Sequence, residues 1–222
     1  MKKIISIVCI AMFVTSLFAN KGLVITQKYF DSNAKGSSVN ISWYVTASQC
    51  KLKMEFSDTK VNTVNWFIPD VANSKLLTYT EGAVPGGTQK AFYSIPVQSI
   101  KSDMNASRVS VGKTGETKTV SGMLCEKIIV KTNKSITEMW VTKDFKTDYY
   151  KFASFFQNSF ELMGLNEEKI QGFPLSSVTK DNSGKVISSY DLISATSCEL
   201  TESDFTVPAE YKSTEEISKK KN

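Results

Sequence analysis

The sequence has 222 residues, of which 41% are hydrophobic and 22% charged, and its formal net charge is +5. It contains no histidine, which excludes Ser-His-Asp and Cys-His catalysis and imidazole-based zinc sites. Arg108 is its only arginine. Because arginine is the preferred side chain for reading phosphates and base edges, we expect no nucleic-acid binding.

The N-terminus has the pattern of an exported protein. Residues 1–3 form a short basic lead, and residues 4–18 form an apolar run. This order is typical of a secretory signal peptide over residues 1–19, cleaved near Ala19. The alternative, a retained membrane anchor, requires about 20 apolar residues, and this run is shorter. We therefore predict a protein exported to the periplasm or cell envelope of a bacterium, with no transmembrane segment in the mature chain.

The first half of the chain alternates apolar and polar residues in short runs. Cys50, Leu52, Met54 and Phe56 alternate with charged residues, which is typical of a half-buried strand with one wet face. Turn residues separate the runs. We predict strands over residues 23–30, 38–46, 50–56, 61–68, 76–80 and 91–97, with the first two forming a hairpin. Residues 82–90 are predicted to form a loop and residues 98–107 a short helix.

The second half adds further strands. Residues 123–131 and 136–142 are predicted to form a hairpin. The other predicted strands cover residues 108–111, 118–120, 176–180, 186–192, 195–200 and 204–208. Residues 212–222 end in lysines and have little apolar content, so we predict a disordered basic tail.

A helix is predicted over residues 147–164. Thr147 or Asp148 can cap it, and Gly164 ends it. Its apolar residues recur at helical spacing, and the stripe contains Tyr149, Phe152, Phe156, Phe160 and Met163. A sheet with one solvent-exposed face must bury its other, apolar face against another element of the protein. We therefore predict a mainly β (α+β) single domain over residues 20–211, in which a strongly curved antiparallel sheet carries this helix across its concave face.

Three cysteines remain after cleavage at the predicted site. Cys50, Cys125 and Cys198 are far apart in the sequence, and no two form a Cys-x-x-Cys pair. In an oxidising envelope they can form one disulfide and leave one free thiol, or all three can be buried thiols. The spacing does not decide between the two.

A set of turn and strand residues resembles a known family over residues 118–211. The pattern consists of Gly122, Cys125, residues 139–144, a helix, Gly172, residues 174–175, Asp181, Gly184 and residues 205–208. It resembles an exported bacterial domain family of unknown function, which is similar in pattern to the LolA/LolB-like periplasmic lipoprotein carriers. The resemblance implies an open half-barrel whose concave face can hold acyl chains. LolA-type carriers use a latching arginine, and Arg108 falls outside the matched motifs, so the resemblance implies the fold rather than lipoprotein shuttling.

Two functions follow from this interpretation. The first is a non-catalytic envelope protein that binds a lipid or other apolar ligand, as a carrier or chaperone does. Its cavity would be lined by the helical stripe and by Trp140 on the 136–142 strand. The second is a structural or interaction scaffold in which the same stripe is packed core, with an envelope protein as its partner.

We expect no enzymatic activity, no cofactor and no metal. Glu126 and Glu138 can face one another across the predicted hairpin, but like charges on a wet face are more often solvated than catalytic. The turn at residues 181–184 has oxygen atoms that suit calcium, yet it lacks the ligand number of a calcium loop.

Overall fold

The structure is a computed structural model that describes residues 20–32, 38–57, 62–81, 90–97, 109–147, 149–153, 155 and 170–215. In this part of the chain, twelve strands form one open sheet. They are β1 (Asn20–Asp31), β2 (Ser38–Val45), β3 (Cys50–Ser57), β4 (Asn62–Asp70), β5 (Lys75–Glu81), β6 (Ala91–Pro96), β7 (Ser110–Val120), β8 (Met123–Lys131), β9 (Ser135–Thr142), β10 (Pro174–Asp181), β11 (Val186–Leu200) and β12 (Lys212–Ser213). A short helix, α1 (Tyr149–Ala153), follows β9, and a 3-10 helix (Glu202–Phe205) follows β11.

The strand order is β12-β6-β5-β4-β3-β2-β1-β11-β10-β9-β8-β7. Consecutive strands pair as antiparallel neighbours within residues 20–96 and within residues 110–200, and β1 joins the two groups by pairing with β11. The β12–β6 pair is parallel. The predicted mainly β class and the two predicted hairpins, β1–β2 and β8–β9, are confirmed.

In two places, two strands that were predicted separately form one continuous strand in the structure. Residues 108–111 and 118–120 are predicted as separate strands, but β7 joins residues 110–111 to residues 118–120, with a register shift between Lys113 and Thr117, where Gly115 has a φ of 76°. Residues 186–192 and 195–200 join in β11, because Gln27 pairs with Leu192 while Thr26 pairs with Ser194. A bulge absorbs an extra residue without ending the strand.

The C-terminal predictions need two corrections. The predicted strand at residues 204–208 is wrong, because residues 202–205 form the 3-10 helix, where the Thr201 N–H donates to Asp204 Oδ2 at 2.7 Å. The predicted disordered tail begins too early. Lys212 and Ser213 pair with Ala91 and Phe92, because the β6 edge offers free backbone groups.

The predicted helix over residues 147–164 has only partial support. The helical turn that the structure describes is α1, and apart from Phe155 the later residues of the prediction lie outside the described residues. A helix packed across the sheet is therefore unsupported. Residues 82–89 and 98–107, predicted as a loop and a helix, also lie outside the described part.

The largest group of buried side chains lies around β1, β2 and β3. It includes Leu23, Ile25, Trp43, Val45 and Leu52 from the sheet. It also includes Tyr149 and Phe152 from α1, Phe173 from the chain that leads into β10, and Leu175 from β10. No helix of the described residues is long and apolar enough to span a membrane.

Candidate ligand-binding cavity

One face of the sheet carries a continuous band of apolar side chains across seven strands. Ile25 pairs with Trp43, Trp43 with Leu52, and Leu52 with Phe67. Directly paired residues of antiparallel strands point to the same face. The band continues from Tyr29 to Tyr190 on β11 and from Leu76 to Ile95 on β6.

A cavity of about 390 Å³ lies against this face. Its lining is Tyr29, Ile41, Trp43, Leu52, Met54, Phe67, Leu76, Ile95, Val97, Phe155 and Tyr190. None of these residues carries a charge at neutral pH. The polar groups among the lining side chains are the hydroxyls of the two tyrosines and the ring N–H of Trp43. Volumes of about 300–1,000 Å³ with mostly apolar walls are typical of small-molecule sites.

Two tyrosines form the wall of the cavity on β1 and β11. The ring centroids of Tyr29 and Tyr190 are 4.7 Å apart. The Tyr29 hydroxyl donates to Asp31 Oδ2 at 3.3 Å, which orients its polar end toward the end of β1. The rings therefore present apolar surface to the cavity while at least one hydroxyl is satisfied within the protein.

Gln27 fixes the position of Trp43 in the wall. Trp43 Nε1 donates to Gln27 Oε1 at 3.1 Å, and Gln27 Nε2 donates to the carbonyl oxygens of Pro174 at 3.0 Å and Leu175 at 2.8 Å. Gln27 is buried, so these bonds satisfy polar atoms that water does not reach. They join β1, β2 and β10.

Of the six residues predicted to line a cavity, Tyr149 and Phe152 are described and buried. Tyr149 contacts Trp43 and Phe173 at centroid distances of 5.9 and 4.5 Å, and Trp43 contacts Phe173 at 5.4 Å. These rings pack against Trp43 and so support it in the cavity wall. Phe156, Phe160 and Met163 lie outside the described residues, so their predicted role remains a prediction.

Trp140, the sixth predicted lining residue, is placed elsewhere. It pairs with Lys127 on β8 and Ser176 on β10, and Lys118 Nζ lies 4.0 Å from its ring centroid. Trp140 is part-buried beside the main core. The structure thus brings Tyr149 and Phe152 together near the cavity and places Trp140 under a lysine from the edge strand β7.

The wall residues of β1 to β6 and β11 were not predicted as site residues. The alternation of Cys50, Leu52 and Met54 predicted that these side chains share a buried face. Which strands continue that face depends on pairing between residues far apart in the sequence, such as Tyr29 with Tyr190.

Glu126 and Glu138, the acidic residues considered for catalysis, do not form a pair in the structure. Glu126 pairs with Val141 and Glu138 with Ile129, so the two carboxylates do not face one another as predicted. Lys127 and Lys180 flank Glu138 at 3.1 and 3.7 Å. The hydrogen bond and charge of Lys127 lower the pKa of Glu138, so it stays ionised.

The turn at residues 181–184 is held by its own hydrogen bonds. Asp181 Oδ1 accepts from the Ser183 N–H, the Ser183 hydroxyl and the Lys185 N–H, at 2.9, 2.6 and 3.0 Å. These bonds lower the pKa of Asp181. Within the described ranges, no cluster of acidic or cysteine side chains could hold a metal ion.

The three described cysteines are free thiols, which resolves the alternatives left by their spacing. Cys50 and Cys125 are buried and Cys198 is partly buried. Burial raises the pKa of the Cys125 thiol to about 11 and also raises the pKa values of Cys50 and Cys198. A protonated thiol is a poor nucleophile, so none of the three is set up for covalent chemistry.

The fold and the cavity define a mainly β protein built on one open, mostly antiparallel sheet with an apolar cavity on one face. The chain belongs to the family described as Domain of unknown function (DUF4412), whose model matches residues 31–211. The predicted membership of a domain family of unknown function is thereby confirmed, and the match extends beyond the expected residues 118–211 into the first half of the chain.

Comparison with solved structures finds similar chains at low sequence identity. An uncharacterised conserved protein from Thermus thermophilus is 12% identical, with a TM-score of 0.50, over 86% of this chain and 90% of that chain. PNGF-II is 15% identical, with a TM-score of 0.46, over 90% of this chain and 32% of that chain. This chain therefore spans about a third of the length of PNGF-II.

The MucA/MucB complex of Pseudomonas aeruginosa contains another similar chain. It is 12% identical, with a TM-score of 0.41, over 86% of this chain and 56% of that chain. None of the curated proteins compared with this sequence matches it.

Proposed function

We propose that this protein is a non-catalytic protein of the bacterial cell envelope that binds a lipid or another apolar ligand in the cavity. The observation that carries the proposal is the cavity of about 390 Å³ with an uncharged, mostly apolar lining. Burial of an acyl chain against such walls contributes roughly 25 cal/mol for each Å² of apolar surface removed from water. The basic lead and apolar run of residues 1–18 support the envelope as the place of action.

The contacts of Gln27 support a curved sheet that partly encloses the ligand. Gln27 lies on β1 and its two acceptor carbonyls on β10, although β11 lies between those strands. In a flat sheet, β1 and β10 would be about twice the ~4.8 Å strand spacing apart. A glutamine side chain reaches across that gap more readily if the sheet bends toward the cavity face. Such curvature is consistent with the half-barrel that the family resemblance implies.

Titration with cis-parinaric acid, a fluorescent fatty acid, tests the proposal on the purified protein. We expect saturable binding with enhanced probe fluorescence, and displacement of the probe by unlabelled fatty acid. Ile95→Asp places a charge in the cavity wall at a residue that is already 44% exposed, so the variant should fold and bind the probe at least about tenfold more weakly.

Val71→Asp is the matched control. Val71 is 47% exposed in the turn between β4 and β5 and is not part of the cavity lining. It should bind the probe as the native protein does. Equal weakening by both substitutions, or the absence of saturable binding to the native protein, would favour the scaffold function with an interior that takes no ligand.

A further inference from the structure

The β8–β9 turn (residues 132–134) and the β10–β11 turn (residues 182–185) lie side by side at one end of the sheet. Asn182 Nδ2 donates a hydrogen bond to the Asn133 carbonyl oxygen at 3.0 Å, which joins the two turns. Lys134 and Lys185 are exposed in these turns. Two neighbouring turns, each with an exposed lysine, are therefore joined at this end of the sheet.

A cross-strand row beside the turns alternates apolar and basic side chains. Val186 pairs with Lys180, Lys180 with Ile136, and Ile136 with Lys131. Paired residues point to the same face. Ile136 and Val186 are 38% and 37% exposed. We call the surface formed by Lys131, Lys134, Ile136, Lys180, Lys185 and Val186 the basic tip.

The nearby acids do not neutralise the basic tip. Asp181 is one carboxylate among four lysines. Glu138 is shared between Lys180 and Lys127, and Lys127 lies outside the basic tip. Among the described residues, Lys131, Lys134 and Lys185 form no ion pair within 4.0 Å, so the surface keeps an excess of positive charge.

We propose that the basic tip docks the protein on an anionic lipid bilayer. A lysine near an anionic leaflet strengthens binding roughly fivefold, and apolar side chains beside the lysines can enter the headgroup boundary. The apolar residues lie on an exposed strand surface next to two turns, and this shape suits flat contact with a lipid surface better than capture of a peptide. The proposal goes beyond binding in the cavity and does not depend on it.

Flotation with vesicles of phosphatidylglycerol and phosphatidylethanolamine tests the proposal at about 0.15 M salt, where surface charges are screened as in the cell. The native protein should float with these vesicles and remain behind with phosphatidylcholine vesicles. Lys134→Glu combined with Lys185→Glu should weaken binding at least about tenfold. These turn substitutions leave the strand ladders intact, and circular dichroism melting checks the fold of each variant.

Lys75→Glu combined with Lys146→Glu is the matched control, because both lysines are exposed at the opposite end of the strands and the change in net charge is the same. This variant should bind as tightly as the native protein. Ile136→Ser combined with Val186→Ser should weaken binding about threefold or more without changing the charge. The proposal would be overturned if the control weakened binding equally or if the native protein did not bind anionic vesicles. It would also be overturned if the protein bound polyglutamate alone, because that would indicate an acidic protein partner.

Discussion

Gly172 holds the chain where it returns to the sheet before β10. Its N–H donates to the Thr147 carbonyl oxygen at 3.2 Å, and its φ is 117°, a conformation that favours glycine. A Cβ at this position would collide with the Thr142 carbonyl oxygen. The next residue, Phe173, accepts a hydrogen bond from the Thr142 N–H at 3.0 Å and supports Trp43 in the cavity wall.

Gly172→Ala is therefore expected to lower the free energy of unfolding by about 3 kcal/mol, because strain and collision act together. Urea denaturation measures the change. Gly184→Ala is the control, since Gly184 also has a positive φ of 85° but open space around it. It should cost about 1 kcal/mol. Equal losses of unfolding free energy in the two variants would show that the collision with Thr142 does not contribute to the effect of Gly172→Ala.

Lys51 is a buried cation on the face opposite the cavity. It is 8% exposed, and its Nζ lies 4.3 Å from the Trp66 ring centroid and 5.6 Å from that of Tyr79. Burial lowers the pKa of Lys51 below its ordinary value of 10.5, while the charges of Glu81 and Asp204 act in the opposite direction. The predicted wet face of β3 is thus covered at this residue.

A pH dependence of stability follows from the lowered pKa of Lys51. Between the lowered pKa and 10.5, the unfolded chain binds more protons at this lysine than the folded chain, so its contribution to the free energy of unfolding rises with pH. Lys51→Met removes this rise, and Lys51→Arg removes it as well because arginine does not titrate there. Denaturation of the three proteins at several pH values measures it, and parallel curves would contradict the prediction.

At the scale of elements, the C-terminal segment covers the aromatic side chains on this opposite face. Tyr211 is buried, and its ring centroid is 4.6 Å from that of Tyr79. Lys212 N–H donates to the Lys90 carbonyl oxygen at 3.1 Å, which continues the attachment into β12. The segment thus contributes to the fold through one ring and a two-residue strand.

Tyr211→Ala should lower the free energy of unfolding by about 3 kcal/mol, because it removes a buried ring and its contact with Tyr79. Thermal or urea denaturation measures the loss. Tyr93→Ala on β6 is the matched control, since Tyr93 is 58% exposed, and it should change stability by less than about 0.5 kcal/mol. A small effect at Tyr211 would mean that β12 and its flanking residues are dispensable for the fold.

The elements show which sequence signals suffice and which do not. The alternation from Cys50 to Phe56 and the turn at residues 132–134 predicted β3 and the β8–β9 hairpin, because the decisive interactions are local. The continuity of β7 and β11 through their bulges depends on partner strands, which local patterns do not reveal. At residues 202–205, hydrogen bonds between Thr201 and Asp204 stabilise a 3-10 helix where a strand was predicted from residue 204 onward.

At the scale of the whole molecule, β1 is the strand that unites the sheet. It lies between β2, its neighbour in sequence, and β11, which is distant in sequence, and its side chains belong to the cavity wall and the core. The apolar character of the cavity face could be predicted from the sequence. Its assembly from β1 to β6 and β11 could not, because it requires the pairing of Tyr29 with Tyr190 and of Ile25 with Ala195.

The positions of the three tryptophans allow a direct test of ligand binding in the cavity. Trp43 lines the cavity, Trp66 lies on the opposite face beside Lys51, and Trp140 lies under Lys118. Brominated stearic acid quenches tryptophan fluorescence only at short range. The measurement compares two double variants. The first combines Trp66→Phe and Trp140→Phe and keeps only Trp43. The second combines Trp43→Phe and Trp140→Phe and keeps only Trp66.

Ligand binding in the cavity predicts saturable quenching of Trp43 and little quenching of Trp66 by brominated stearic acid. Unbrominated stearic acid should compete with the quencher. Absence of quenching in the Trp43 variant, or equal quenching of both tryptophans, would contradict binding of an apolar ligand in this cavity.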